Sequence, residues 1–249
     1  MEDTQKQDKL PPIKYTKRVG HLFEHVRDLD NLKEAIKDAA RHKRKRKEVQ
    51  KVLEDIDGHA LELQRMLDEE TFIPAKYTMR RINDGIQKKT RDIAIPRFWP
   101  DQIIQNAFVR IFKQIVLHSA YPCSCGCVPG KGTHGAKTAI EKWIRKDPKH
   151  TKYVLKLDVR KCYPTMNHEE LRKKLQRRIK DKKFLRLADR SIASFQQPMA
   201  THERLLPETD AVGIPVGLYT SPRFCNFFYQ DVDHKVAEKS GAAHNVRYV

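Results

Sequence analysis

Apolar positions along the chain recur at two different spacings, and the switch between them organises the sequence. Residues 1–28 are polar, contain Pro11-Pro12 and hold no sustained period, which predicts an extended or weakly ordered arm. Beyond it Leu32, Ala35, Ile36 and Ala39 follow a helical step, with Asp30 or Asn31 as the cap. Val49, Leu53, Ile56, Ala60, Leu63 and Leu67 carry the same step along a second helix. From Phe72 the texture becomes strand-like: Lys76 to Ile82 and Thr90 to Ile95 flank Asn83-Asp84-Gly85, whose Asp-Gly suits the positive φ angles of a tight hairpin. Pro100 then opens a helix with Ile103, Ile104, Ala107, Phe108, Ile111, Phe112 and Ile115 on its apolar side.

A loop bearing Gly126, Gly130 and Gly132 leads into a helix with Ala136, Ala139, Ile140, Trp143 and Ile144 on one face. Lys152 to Val159 reads as a buried strand ending in a carboxylate, Asp158. Asn167 and Glu170 make a capping-box-like start for a helix reaching about Lys180. A further helix, a Pro- and Gly-rich loop from Pro198 to Gly217, a helix from near Ser221 and a short strand from Asn245 to Val249 complete the chain, which contains no internal repeat.

Composition narrows the classes. In 249 residues, 39% of them hydrophobic, the chain has material for a core, and 50 Lys plus Arg against 32 Asp plus Glu give a net charge of +18. Such an excess favours a polyanionic partner, nucleic acid first, through counterion release. The run Arg41 to Lys47 is either a solvated connection between helices or a contact to phosphates. No stretch approaches the roughly 18 apolar residues of a membrane span, and the N-terminus has no apolar core of a signal peptide, so an intracellular, cytoplasmic protein is expected. Five cysteines, three of them crowded at Cys123, Cys125 and Cys127, do not form the framework of a secreted domain. Their every-other-residue spacing suits reduced thiols better than tetrahedral Zn²⁺.

Asp158 is the residue around which chemistry gathers. A carboxylate on a rigid strand end, followed by Arg160-Lys161, is the type of oxygen ligand that Mg²⁺ requires, and it is also what caps a turn after a strand. Two-metal nucleotidyl transfer places its ions roughly 3.5–4 Å apart, and one Asp cannot bridge both.

Leu157-Asp158-Val159-Arg160-Lys161-Cys162-Tyr163-Pro164-Thr165-Met166-Asn167-His168 resembles the first palm motif of bacterial reverse transcriptases. Gly213-Ile214-Pro215-Val216-Gly217-Leu218-Tyr219-Thr220-Ser221-Pro222-Arg223-Phe224-Cys225-Asn226 is similar to the same family's loop and helix that support template and incoming nucleotide. Arg80, Arg81, Lys88, Lys89 and Arg91, followed by Ile93-Ala94-Ile95-Pro96 and Asp101-Gln102, resemble the fingers that clamp the triphosphate. Gly130-Lys131-Gly132-Thr133-His134 resembles the segment lying against template and lacks the spacing of a phosphate-binding Walker loop. The similarity runs from about Asn31 to the last residue, in the family's order.

The resemblance implies an α+β, right-hand polymerase fold: an arm (1–28), N-terminal helices (29–70), fingers (71–150) and a partial palm (151–249). It implies an RNA-directed DNA polymerase of a bacterial or phage retroelement, using Mg²⁺, with an RNA template, a DNA primer or product and dNTPs as partners, beside an accessory RNA-binding protein. Asp158 and the carbonyl of Val159 would be metal ligands, and Asp158 the catalytic residue. Arg81, Arg91, Tyr163 and Val216 would contact the nucleotide, Tyr163 by excluding a ribose 2′-hydroxyl. Lys131, His134, Gly217 and Ser221 would lie at template or primer. Many members have Gln where this chain has Val216, whereas enzymes of diversity-generating retroelements typically carry an aliphatic residue there, which implies loose discrimination; Ser221-Pro222 follows the commoner family ending rather than the Ser-Gln of those retroelements, and group II intron enzymes are the other type the chain resembles. In the family a short strand ends in Tyr-x-Asp-Asp, while this chain finishes Asn245-Val246-Arg247-Tyr248-Val249, so a truncated chain that binds template without extending a primer is expected. The alternative is an RNA-binding maturase-like or antiphage protein that uses the polymerase fold as a scaffold. Asp231 and Asp233, on a helix with Tyr229, Val232 and Val236, are not expected to replace the missing aspartates.

Overall fold

The structure, a computed structural model, describes residues 13–84, 89–195 and 211–248. The Gly85 turn with Lys88, residues 1–12 of the arm, the 196–210 part of the Pro- and Gly-rich loop and Val249 lie outside the described residues. Helix and strand are mixed, and the chain forms two compact units, each assembled from separated stretches of sequence.

The first unit comprises Met1–Tyr77, Pro96–Ile111 and Leu175–Ser194. It holds α1 (Leu22–Arg27), α2 (Leu29–Ala40), α3 (Lys47–Glu54), α4 (Ile56–Asp68), the first half of α5 (Ile103–His118) and α8 (Lys182–Ala193). The arm is more structured than its polarity suggested: Val19, Leu22, Phe23 and Val26 are buried. Val19 also pairs with the chain after α7 (His168–Arg178), donating to Arg178 O and accepting from Lys180 N, each at 2.8 Å. Four apolar positions in a short, otherwise polar stretch are too few to register as a period, yet enough to anchor it. The cap of α2 is Asp28 rather than Asp30 or Asn31; its carboxylate accepts from the amides of both.

The long second helix divides at Asp55, whose side chain accepts from Gly58 N and starts α4. The apolar step continues across that break, so periodicity alone conceals it. The basic run between α2 and α3 is largely exposed turn, although Lys43 reaches Gln102 Oε1 at 2.5 Å. Leu32, Ile36, Leu63, Ile103 and Ile104 fill the core, and Phe108 stacks on Phe184 at 4.7 Å. A buried polar knot crosses it. Asn31 Nδ2 donates to Val26 O and Ala107 O, while Arg110 donates to Asn31 Oδ1 at 3.0 Å and to Asp38 Oδ2 at 2.7 Å. Its members satisfy one another, which is what buried polar groups require.

The second unit comprises Thr78–Ile95, Phe112–Lys174 and Phe195–Val249. It contains the antiparallel hairpin β1 (Thr78–Asp84) and β2 (Lys89–Ile95), the second half of α5, α6 (Gly132–Lys146), most of α7 and the long α9 (Ser221–Lys239). Phe112 packs against Phe224 and Phe227 at 5.6 and 5.5 Å, and Gln230 ties α9 to α5 through Val116 O and Ser119 Oγ. The α7 cap is as the sequence suggested: Asn167 Oδ1 accepts from Glu170 N at 2.9 Å.

Three expectations fail in this unit. On α6 only Ala136 is buried, and Ile140 and Ile144 face solvent. More consequentially, residues 153–159 form no strand and pair with none among the described residues. Leu155 and Leu157 are 82% and 78% exposed. Composition records what a segment favours, and a strand also needs a neighbour to complete its ladder. The terminal strand is likewise a single bridge, Arg247 beside Ser124.

Candidate nucleotidyl-transfer site

Three blocks distant in sequence meet in the second unit. The turn after Asp158 presents Tyr163 O to Ile214 N at 2.9 Å, and Met166 O accepts from Gly213 N at 2.9 Å. Asn167 bridges Val212, and buried His168 donates from Nε2 to Gly213 O at 2.6 Å. The same loop then turns to the hairpin, where Ala94 N donates to Val216 O at 2.8 Å. Gly217 makes this closeness possible. With φ at +110°, a Cβ there would lie 2.4 Å from Ile93 Cγ2 and 2.6 Å from Ala94 O. Its missing side chain admits a protein strand here, where the sequence suggested close approach by bases.

Loop 211–217 is thus stitched to the Tyr163 turn on one side and to β2 on the other. Ser221 closes it internally, its hydroxyl donating to Pro215 O at 2.6 Å from a position 1% exposed. That hydroxyl shapes the loop from within. Val216 is half-buried beside it.

Asp158 is exposed and makes no hydrogen bond or ion pair among the described residues. Tyr163 is half-buried beside Cys225, and burial pushes its phenol well above the ordinary tyrosine range. Cys162 Sγ lies 3.4 Å from Cys225 Sγ. The Cys162 thiol is brought down to about 7, first by the Cys225 S–H it accepts and then by the Tyr229 hydroxyl and the Arg247 charge, against the opposing effect of burial. Cys225 moves the other way, because its proton is held by Cys162 and it is buried.

The two hairpin arginines are not brought together. In the register Arg81 stands opposite Asp92 and Ile82 opposite Arg91, so alternation places Arg81 and Arg91 on opposite faces. Arg81 bonds Asp92 through Nε at 2.9 Å, and this guanidinium holds the Asp92 carboxyl below the usual carboxylate range. Arg80, opposite Ile93, shares the face of Arg91. Lys131 precedes α6 and bonds Pro122 O, and His134 is exposed on the first turn of that helix.

Sequence reasoning gave no role to Arg247, which turns out to be the hub of this unit's end. It donates to both oxygens of Asp233 at 2.7 and 2.9 Å, to Asn226 Oδ1 at 3.0 Å and to Ser124 Oγ at 2.8 Å. Asp233 is therefore occupied by an ion pair, and Asp231 pairs with Lys174 at 3.0 Å. A lone Arg in a short terminal segment carries no sequence signal for such burial.

Mg²⁺ takes hard oxygen ligands, and the Asp158 carboxylate and Val159 carbonyl fit it in kind. They do not fit in number: among the described residues no group of three or more His, Cys, Asp or Glu side chains is set to hold a metal ion. Nor is any helix among them long and apolar enough to cross a membrane.

No individual curated protein matches the chain. The family of reverse transcriptases (RNA-dependent DNA polymerases) matches it over residues 82–249, a span that includes β2, the Asp158 turn, loop 211–217 and α9. With two thirds of its length inside that match, and the stitched blocks falling within it, the chain belongs to the reverse transcriptase (RNA-dependent DNA polymerase) family.

Proposed function

We propose that this protein copies an RNA template into DNA as the polymerase of a bacterial or phage retroelement, with Asp158 and the Val159 carbonyl supplying oxygens to divalent metal binding. The observation that carries the reading is the double hydrogen bonding of loop 211–217, to the Tyr163 turn through Ile214 N and to β2 through Val216 O. It brings the Tyr163 turn and the basic hairpin to one loop, and the solvent-facing Asp158 precedes that turn in sequence.

In this reading Tyr163 forms the floor for the incoming sugar and excludes a 2′-hydroxyl. Arg91, with Arg80 on the same face, meets the triphosphate, a task suited to the guanidinium fork. Arg81 serves differently, because its fork is already filled by Asp92. Ser221 and Gly217 are positioning residues that fix the loop, while Val216 borders the nucleotide. Lys131 and His134 lie along the template.

The test is primer extension on an RNA template with dNTPs and Mg²⁺, comparing the protein with its Asp158→Asn variant. Asp158→Asn is expected to lower incorporation by about 10³-fold or more, the order of loss seen when a catalytic electrostatic group is removed. Unchanged incorporation by that variant would overturn the assignment. Template binding by both proteins without incorporation by either would favour the scaffold role. Val216→Gln should reduce misincorporation in the same assay, and equal error rates would count against loose discrimination at that residue.

A further inference from the structure

Nothing in the proposed chemistry uses the sulfur atoms beneath the Tyr163 turn. Cys162 sits in that turn, and Cys225 lies in the second turn of α9, 63 residues away in sequence. Both thiols are reduced, with their Sγ atoms 3.4 Å apart. We propose that Cys162 and Cys225 are a redox modification site, at which hydrogen peroxide drives a reversible disulfide that clamps the Tyr163 turn to α9.

The geometry needs little adjustment. A disulfide places its sulfurs about 2.05 Å apart, so roughly 1.3 Å of approach is required, within the reach of χ1 changes on two short side chains. Access assigns the order of events. Cys162 is half-buried and the more open of the two to small solutes, whereas Cys225 is 1% exposed and lies between Cys162 and Tyr163. The groups acting on Cys162 are Cys225, the Tyr229 hydroxyl, the Arg247 guanidinium and the opposing charge of Asp158. Together they hold its thiol near neutrality, so much of it is thiolate, the reactive form, at physiological pH.

The chemistry balances with peroxide as the only co-reactant. The Cys162 thiolate attacks one peroxide oxygen, the O–O bond breaks, and the departing hydroxide takes a proton to become water, leaving a sulfenic acid on Cys162. Cys225 Sγ then attacks the Cys162 sulfur, the S–O bond breaks, and hydroxide leaves with the Cys225 proton as a second water. Two thiols lose two electrons in all, and one peroxide becomes two waters. A small dithiol reverses the bond by exchange.

The site is independent of whether the chain copies RNA, and its test needs no polymerase activity. Purified residues 1–249 are freed of reductant, exposed to hydrogen peroxide, capped with N-ethylmaleimide, digested without reduction and read by mass spectrometry. The expected product is a peptide joining Cys162 to Cys225, about tenfold more abundant than any other cysteine pairing and lost on dithiothreitol treatment. Cys127→Ser should leave it unchanged, which separates it from pairing with the exposed Cys127. Cys162→Ser and Cys225→Ser should each abolish it, the former leaving Cys225 unoxidised at the same dose. Sulfinic or sulfonic acid on Cys162 without the joined peptide, or a dominant Cys127–Cys225 peptide, overturns the proposal on the unmodified chain alone.

Discussion

Gly217 offers the sharpest test of how loop 211–217 is held. Alanine there meets two separate obstacles. Its φ of +110° lies where side chains are strained, at a cost of about 1–3 kcal/mol. The new methyl would also stand 2.6 Å from the Ala94 carbonyl oxygen and 2.4 Å from Ile93 Cγ2. The isoleucine can turn away, but the carbonyl belongs to β2 and is held by the hairpin ladder, so relief requires the loop to lift. Overpacking of this kind costs about 1–3 kcal/mol, and the sum is about 2–6 kcal/mol. Gly130 supplies the control. Its φ is +75° and nothing lies within 4 Å of a Cβ placed on it, so Gly130→Ala carries the backbone penalty alone. Urea denaturation followed by circular dichroism should rank Gly217→Ala below Gly130→Ala, and Gly130→Ala slightly below the parent. Hydrogen exchange localises the effect: the Ala94 amide, bonded to Val216 O at 2.8 Å, should exchange faster only in Gly217→Ala. Equal stabilities for the two variants, with Ala94 protection intact, would refute the close approach.

Arg247→Ala should destabilise the second unit by about 3–5 kcal/mol, since it leaves a buried carboxylate without its ion-pair partner; Asp233→Asn added to it should recover part of the loss, and a denaturation difference below about 1 kcal/mol would contradict the buried pair. Asn167→Ala should cost about 1 kcal/mol through loss of the α7 cap, with Asn167→Ser near neutral in the same measurement. Asp147, bonded by His150 at 2.8 Å and His244 at 2.9 Å, has its carboxyl held below the ordinary range. Its contribution to stability is therefore complete above the unfolded value of about 3.9 and is lost as pH falls from there through the lower folded value. His244→Ala should move the Asp147 carboxyl ¹³C titration midpoint upward, and an unmoved midpoint would show that His244 exerts no hold.

Much of this was written locally in the sequence. The α5 row from Ile103 to Ile115 is buried as its spacing demands, the hairpin pairs as its Asp-Gly flanks suggest, and Asn167 caps α7. These features depend on neighbours a few residues away. Features that depend on distant partners were less legible. Asp55 interrupts a helix whose apolar step runs on unbroken, and Lys152 to Val159 has strand composition with no strand beside it among the described residues. At the candidate site the motif blocks could be recognised by residue type. Their joining could not: nothing local says that Ile214 N finds Tyr163 O, that Gly217 presses on β2, or that Arg81 and Arg91 face apart. Arg247 and the Cys162–Cys225 contact escaped for the same reason, because tertiary packing creates them.

The uncovered ribbon at 153–159 has a practical consequence. Tyr-Val-Leu-Lys-Leu-Asp-Val, unpaired among the described residues, presents bare apolar side chains, a template for intermolecular cross-β stacking. Its own Lys156 and Asp158 act as gatekeepers, and the +18 net charge keeps separate molecules apart at low ionic strength. Salt weakens that repulsion and leaves the ribbon as sticky as before, so concentrated stocks should cloud as sodium chloride is raised, and Leu155→Lys should keep them clear.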